Sequence, residues 1–235
     1  MAENRKARRA AAAAAAAKAA ARAKGPPVRP AAPAPAKPST PPSTRPATPS
    51  PAPADSGGLA ADATRAFRVG LAHYEAKRYT EAELVFRRIV AALEKSPGAV
   101  GGGPTLAQAL NALGVVLRMQ TRFSEAVQLY ERSLALEPGN AGVFSNLGNA
   151  LKDDHQIEAA IEAHAIAIAR EPNDAKIHHN LGVSYVQAGR FAEGLKHYER
   201  ALELQPDFPD AAWDRARALL YLGDYARGWP AYESR

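Results

Sequence analysis

Six histidines have the widest chemical range in this sequence, since an imidazole can bind a metal or move a proton near neutral pH. They are His73, His155, His164, His178, His179 and His197. No two of them are four residues apart, the spacing that places two metal ligands on one helix face. The adjacent His178 and His179 would point about 100° apart on a helix, which disfavours a shared metal. The histidines therefore predict no metal site.

Other patterns with catalytic meaning are weak. The glycine run 101–103 ends in Pro104 and lacks the Lys-Ser/Thr of a phosphate-binding loop. The carboxylate pair Asp153 and Asp154 ends a predicted helix, where we interpret it as a solvated turn. The sequence contains no cysteine, which excludes disulfides, thiol nucleophiles and cysteine-ligated zinc. We therefore predict that the protein is not an enzyme, with no cofactor, no metal and no small-molecule substrate.

The strongest pattern in the sequence is a repeat of 34 residues. Each unit carries a Leu-Gly pair, a small residue twelve positions after its glycine, and a closing proline. These markers are Leu113-Gly114, Leu147-Gly148 and Leu181-Gly182, then Ala126, Ala160 and Gly194, then Pro138, Pro172 and Pro206. A fixed period of this length indicates stacked structural repeats.

Each unit has the apolar spacing of helices. Phe123, Val127, Tyr130 and Leu134 follow one another at steps of four, three and four residues, which places them on one helix face. The same face of the next unit includes His164, for which we predict a buried imidazole with satisfied hydrogen bonds. Each unit is therefore predicted to be a pair of antiparallel helices, and its small residues predict a close approach between them.

The ends of these helices are also marked. Asn140 and Asp174 follow the closing prolines and are predicted N-caps, because their side chains can accept bonds from free backbone N–H groups. Gly189-Arg190 and Gly223-Asp224 are the clearest turns between the two helices of a unit.

These residues resemble the tetratricopeptide repeat (TPR). Its pattern is present as Leu147-Gly148, Leu151, Ile157, Ala160, Ala167 and Pro172, and again 34 residues later. The resemblance covers about residues 61–235. The departures are Gly194 and Gly228 in place of alanine, and His164 in place of an aromatic residue. The resemblance implies an all-α solenoid, a right-handed superhelix of antiparallel helix pairs with about four to five repeats.

We divide the chain into three regions. Residues 1–24 form a basic, alanine-rich tail of helix-forming composition, residues 25–58 a disordered linker rich in proline and alanine, and residues 59–235 the repeat array. The predicted units are 63–96, 107–140, 141–174, 175–208 and an incomplete 209–235. Gly70 and Gly114 are 44 residues apart, so we predict a flexible loop over 96–104.

The charge is unevenly distributed. Residues 1–54 hold ten basic and one acidic side chain, net +9, whereas residues 55–235 hold 20 basic and 23 acidic side chains, net −3. The tail is either simply solvated or makes a weak electrostatic contact with nucleic acid or an anionic membrane. No apolar run reaches the roughly 18 residues of a membrane helix, and we expect a cytoplasmic protein.

The resemblance implies that the first helices of the units line a concave groove for a peptide or a partner helix. The matching groove residues are Asn111, Val115, Arg118, Ser145, Asn146, Asn149, Lys152, His179, Asn180, Val183, Val186, Trp213, Arg217 and Leu220. In the repeat arms of O-GlcNAc transferases, asparagines placed like Asn146 and Asn180 hold a peptide backbone through amide hydrogen bonds. The alternative is a solvated polar helix face.

Arg118 and Lys152 are 34 residues apart and would lie on neighbouring helices of the groove. Two such cations could hold a carboxylate, for example a peptide C-terminus. The alternative is that both are ordinary surface charges.

The sequence thus favours a non-catalytic scaffold that binds a peptide or partner helix in its groove. The segment Leu222–Arg235 resembles the last repeat of bacterial TPR proteins in which a glycosyltransferase domain follows. The alternative is therefore the substrate-recruiting arm of an O-GlcNAc-transferase-like or other bacterial glycosyltransferase whose catalytic domain is absent from this chain. Trp229 and Tyr232 further predict an apolar C-terminal face that docks a partner or a second copy.

Overall fold

The computed structural model describes residues 56–95 and 103–233. The predicted tail, its contact with nucleic acid or membrane, and most of the linker and of the 96–104 loop lie outside these residues. Ser56 to Gly58, which the sequence placed in the linker, already belong to the first helix.

Ten helices account for the regular structure of the described residues, which contain no strand. They are α1 (Ser56–Glu75), α2 (Tyr79–Lys95), α3 (Leu106–Met119), α4 (Phe123–Leu136), α5 (Ala141–Asp153), α6 (Ile157–Arg170), α7 (Ala175–Gln187), α8 (Phe191–Leu204), α9 (Pro209–Tyr221) and α10 (Tyr225–Glu233). Each helix packs on the next one along the chain. The odd-numbered helices are the first helices of the units, and α3, α5, α7 and α9 also pack on the second helix of the preceding unit. The predicted all-α solenoid is confirmed.

Both predicted N-caps are present. Asn140 Oδ1 accepts a hydrogen bond from the backbone N–H of Val143 at 3.1 Å. Asp174 Oδ1 accepts from two backbone N–H groups, those of Lys176 at 2.7 Å and Ile177 at 3.0 Å. These bonds satisfy N–H groups that have no partner inside the helix, so they fix where α5 and α7 begin.

The turn inside each unit has one residue in the left-handed backbone region. The five residues are Lys77, Thr121, His155, Gly189 and Gly223, with φ between 58° and 81°. Glycine adopts this conformation without steric cost, whereas a side chain with a Cβ is strained there. The fold therefore needs the same turn in every unit, and only the last two units have the residue that suits it.

Replacing Thr121 or His155 by glycine should stabilise the protein. Each substitution relieves the positive-φ strain, and we expect the free energy of unfolding to rise by about 0.5–1 kcal/mol per site. Gln128→Gly is the matched control, because Gln128 is exposed in the middle of α4 and glycine there should cost about 1 kcal/mol. Urea unfolding measures all three variants, and a loss of stability in Thr121→Gly would contradict the prediction.

The predicted close approach of the two helices in a unit is confirmed at the repeated glycines. A Cβ on Gly114 would lie 2.7 Å from Cε1 of Tyr130, and one on Gly182 would lie 2.6 Å from Cε1 of Tyr198. The residue that fills the space beside each glycine is the ring sixteen positions later. Gly70 and Phe86 form the same contact in the first unit. The glycine therefore leaves space for a buried ring, and we call this space the ring seat.

His164 occupies this ring position in the third unit, above Gly148, and is fully buried. Neither of its ring nitrogens has a hydrogen-bond partner within the described part of the chain. The prediction of a buried histidine is confirmed, but the prediction that its hydrogen bonds are satisfied is wrong. Burial, with a smaller effect from Lys152, lowers the pKa of His164 to about 3. The ring is thus neutral and packs like the tyrosines of the neighbouring units.

Candidate peptide-binding groove

Side chains of neighbouring first helices are joined by hydrogen bonds that follow the repeat. Asn146 Nδ2 donates to Asn111 Oδ1 at 3.0 Å, joining α5 to α3. Asn180 Nδ2 donates to Ser145 Oγ at 3.2 Å, joining α7 to α5. His179 Nε2 and Asp214 Oδ2 are 2.9 Å apart, which joins α7 to α9. In each pair the fifth residue of one unit meets the sixth residue of the next. We call these six residues the polar ladder.

The polar ladder brings five of the predicted groove residues into one row across α3, α5 and α7, with Asp214 on α9 as its last member. Each asparagine amide offers both donors and an acceptor. Asn146 and Asn180 each use only the amino group, so their Oδ1 atoms make no other hydrogen bond within the described residues. Asn149, half-buried one turn further along α5, has no hydrogen-bond partner in the part of the chain described. The row therefore retains both donors and acceptors for a ligand.

Arg118 and Lys152 do lie close together, as their spacing predicts, but an acidic side chain of the protein lies between them. Arg118 Nε is 2.8 Å from Asp153 Oδ2, and Lys152 Nζ is 3.6 Å from Asp153 Oδ1. The interpretation of Asp153 as part of a solvated turn is therefore wrong, since its side chain is only 27% exposed and ion-paired. A ligand carboxylate at this point would have to compete with Asp153.

The row ends at α9. Asp214 there contacts both His179 and Arg217, whose Nη1 atom is 3.3 Å from Asp214 Oδ1. Trp213 stacks on Tyr232 of α10, with ring centroids 4.3 Å apart. Asp214 was not among the predicted groove residues, although it follows Asn180 by one repeat period and could have been found from that spacing.

A histidine pair lies away from this row. His178 Nε2 is 3.0 Å from the carbonyl oxygen of Pro172, and its Nδ1 is 3.3 Å from Nδ1 of His197. Since the carbonyl can only accept, His178 Nε2 carries a proton and donates to it; in that neutral tautomer the His178 Nδ1 atom accepts from His197 Nδ1. Burial, with smaller effects from His178 and Lys196, lowers the pKa of His197 to about 4. Among residues 56–95 and 103–233, no group of three His, Cys, Asp or Glu side chains could hold a metal.

Comparisons with known proteins agree with this architecture. Three family models described as tetratricopeptide repeat match the chain, over residues 60–136, 117–182 and 175–208. The chain belongs to the tetratricopeptide repeat family. No curated protein sequence matches it. The TPR domain is a protein-interaction scaffold, and in this general sense the function predicted from the sequence is confirmed.

Solved structures show the same fold at low sequence identity. A Pseudomonas aeruginosa PilF structure is 24% identical, covers 75% of this chain and 76% of its own, and gives a TM-score of 0.63. A MamA fragment (41-end) from Desulfovibrio magneticus RS-1 is 16% identical, covers 77% of this chain and 93% of its own, and gives a TM-score of 0.61. A MamA crystal structure is 19% identical, covers 70% of this chain and 91% of its own, and gives a TM-score of 0.58. At these identities the likeness concerns the TPR fold. The glycosyltransferase resemblance of the last unit stays a prediction.

In the described segments of this TPR protein, no helix is both long and apolar enough to span a bilayer.

Proposed function

We propose that this TPR protein is a non-catalytic scaffold that binds an extended peptide, or one helix of a partner, along the row formed by its first helices. The polar ladder is the observation that supports the proposal. It positions polar side chains from α3, α5, α7 and α9 in one line, each held by a bond to the neighbouring unit. A peptide that lies across these helices meets side chains that are already ordered, so little side-chain entropy is lost on binding.

The free groups along the row suit a peptide backbone. The Oδ1 atoms of Asn146 and Asn180 can accept from backbone N–H groups, and the Asn149 amide can both donate and accept. Arg118 and Lys152 add a preference for a carboxylate, which would replace Asp153 as their partner. Because one ion pair is exchanged for another, we expect this preference to be modest.

The proposal is tested by selecting peptides from a random library of 12-residue sequences displayed on phage, with the full-length chain as bait. We expect peptides with affinities in the micromolar range. The groove variant Asn149→Ala/Asn180→Ala should weaken their binding by about tenfold, because two hydrogen bonds at about 0.5–1.5 kcal/mol each are lost. Fluorescence anisotropy with the selected peptides gives the dissociation constants.

Gln128→Ala/Glu162→Ala is the matched control, since both side chains are exposed on second helices. It should leave the dissociation constants unchanged. Failure to select any peptide, or equal binding by the groove variant and wild type, would count against the proposal.

The end of the array favours a second interaction. The last unit has no open ring seat, because Ala216 stands where the earlier units have glycine and its Cβ occupies that space. The ring of this unit, Tyr232, remains 36% exposed and stacks on Trp213. Trp229 is 50% exposed and meets Tyr232 edge to face. We propose that this aromatic surface, which we call the C-terminal face, contacts a partner protein or a second copy of the chain.

Self-association through the C-terminal face should depend on Trp229. Tryptophan contributes large amounts of binding energy at interfaces, so Trp229→Ser should lower the association constant by about tenfold or more. Sedimentation velocity over a range of protein concentrations measures the association. Leu136→Ser is the control, because Leu136 is equally exposed but lies on α4. A wild-type protein that stays monomeric at the highest concentration would exclude a second copy as the occupant.

A further inference from the structure

The first two units meet differently from the others. The fifth residue of the first unit is Phe67, and the sixth residue of the second unit is Ala112. At every later junction these two places hold a hydrogen-bonded pair of the polar ladder, whereas here both side chains are apolar. The glycine markers of these two units are also ten residues further apart than the period. The ladder therefore does not extend from α3 to α1.

A cavity of about 560 Å³ lies where the ladder is missing. Its wall is largely apolar and includes Phe67 and Leu71 of α1, Phe86 of α2, and Ala112 and Val115 of α3. Asn111, the first member of the polar ladder, also lines it, so the cavity continues the row of groove residues. Leu71 is 40% exposed, which leaves apolar surface accessible from solvent. We call this cavity the first-junction pocket.

Arg68 is the charged residue among those that line the pocket. Its side chain is exposed and has no ion-pair or hydrogen-bond partner within residues 56–95 and 103–233. Arg118, by contrast, is already paired with Asp153. The pocket thus combines an apolar wall with one cation that is available to a ligand, and this charge complementarity favours an acidic partner over a basic one.

We propose that the first-junction pocket binds a large apolar side chain, such as Phe or Leu, of a partner peptide in which an acidic residue adjoins that side chain. The apolar side chain enters between α1 and α3, and the acidic residue pairs with Arg68. The inference rests on the proposed groove function and specifies the peptide class. The basic segment 1–54 fits poorly as the occupant, because it is net +9 and contains no Phe, Leu, Ile, Trp or Tyr.

The test is the peptide-library selection repeated on full-length variants. Wild type should enrich peptides that contain Phe, Leu or Trp next to Asp or Glu. Arg68→Glu should still enrich peptides with a large apolar residue, but with Lys or Arg beside it in place of the acid. The variant should also bind the peptides selected with wild type about tenfold more weakly. Ala112→Trp fills the pocket and should abolish their binding. Leu71→Gln, at an exposed position, should weaken binding without affecting the fold, which circular dichroism verifies.

The outcomes separate the inference from the function on which it rests. Peptides that lose affinity in Asn149→Ala/Asn180→Ala but bind Ala112→Trp and Leu71→Gln like wild type would overturn the pocket and leave the groove proposal standing. If wild type enriches a motif without an acidic residue, or if Arg68→Glu enriches the same acidic motif as wild type, the proposed pairing of an acidic residue with Arg68 is overturned. If wild type self-associates and Ala112→Trp abolishes this self-association, a second copy of the chain occupies the first-junction pocket, and the proposal is also overturned. Failure to select any peptide would count against both.

Discussion

Gly114→Ala should lower the free energy of unfolding by about 2 kcal/mol, although alanine is intrinsically the better helix former by about 1 kcal/mol. The added Cβ would lie 2.7 Å from Cε1 and 3.0 Å from Cζ of Tyr130. Tyr130 is fully buried, so its ring cannot move away without opening the contact between α3 and α4. The strain therefore exceeds the gain in helix propensity.

The sign of this effect should reverse when the ring is removed. Tyr130→Leu lacks the atoms Cε1 and Cζ, and we expect it to cost about 2 kcal/mol by leaving a cavity. In that background Gly114→Ala should stabilise the protein by about 1 kcal/mol, since the methyl group fills the space and the helix gains a better former. The cycle therefore isolates the contact between the glycine and the ring.

Gly139→Ala is the control for this cycle, because a Cβ there would have no atom of the described chain within 4 Å, apart from those of its own neighbours. It should change stability by less than about 0.5 kcal/mol. Urea unfolding of all five proteins gives the required free energies. Equal effects of Gly114→Ala with and without the Tyr130 ring would show that the glycine has no role as a ring seat.

The features that the sequence predicted correctly are those that recur within one unit. Asn140 and Asp174 cap their helices because an N-cap depends only on a few neighbouring residues. The glycines lie at close approaches because the two helices of a unit are joined by a short turn, which fixes their register. His164 shows the limit of this reasoning, since the apolar stripe predicted its burial but not the absence of hydrogen-bond partners among the described residues.

Contacts between units were less predictable. The polar ladder joins residues 35 positions apart, one more than the repeat period, and this offset depends on how neighbouring helices are aligned. The ion pair of Asp153 with Arg118, also 35 positions apart, was missed for this reason. The first-junction pocket could not be predicted from the sequence either, because the extra residues between Gly70 and Gly114 do not specify how α1 and α3 are positioned.

His164 should make the protein lose stability in mild acid. The imidazole has a pKa of about 6.5 in the unfolded chain, whereas burial, and secondarily Lys152, lowers it to about 3 in the fold. Between these two values the unfolded state binds a proton that the folded state excludes. Stability is therefore complete above about pH 6.5 and decreases as the pH falls, and we expect a loss of about 2 kcal/mol at pH 5.

His164→Phe should remove this share of the pH dependence. Phe86 above Gly70 shows that phenylalanine fits the same seat, and the substitution eliminates two buried nitrogens that have no partner within residues 56–95 and 103–233. We also expect it to raise stability at pH 7.5 by about 1 kcal/mol, since an unsatisfied buried polar group is costly. Urea unfolding of wild type and variant at pH 7.5, 6 and 5 should show two curves that diverge as the pH falls. His197, whose pKa is also lowered by burial, contributes to both curves equally.

Tyr130→Phe is the matched control, because it changes the same seat in the preceding unit without removing a group that titrates between pH 5 and 7.5. It should retain the wild-type pH dependence, whether or not it changes the stability itself. Parallel curves for wild type and His164→Phe would mean that the folded protein accommodates the charged imidazole. In that case the ring would have to reach water or a hydrogen-bond partner, and the tight packing of His164 on Gly148 would not describe the third unit in solution.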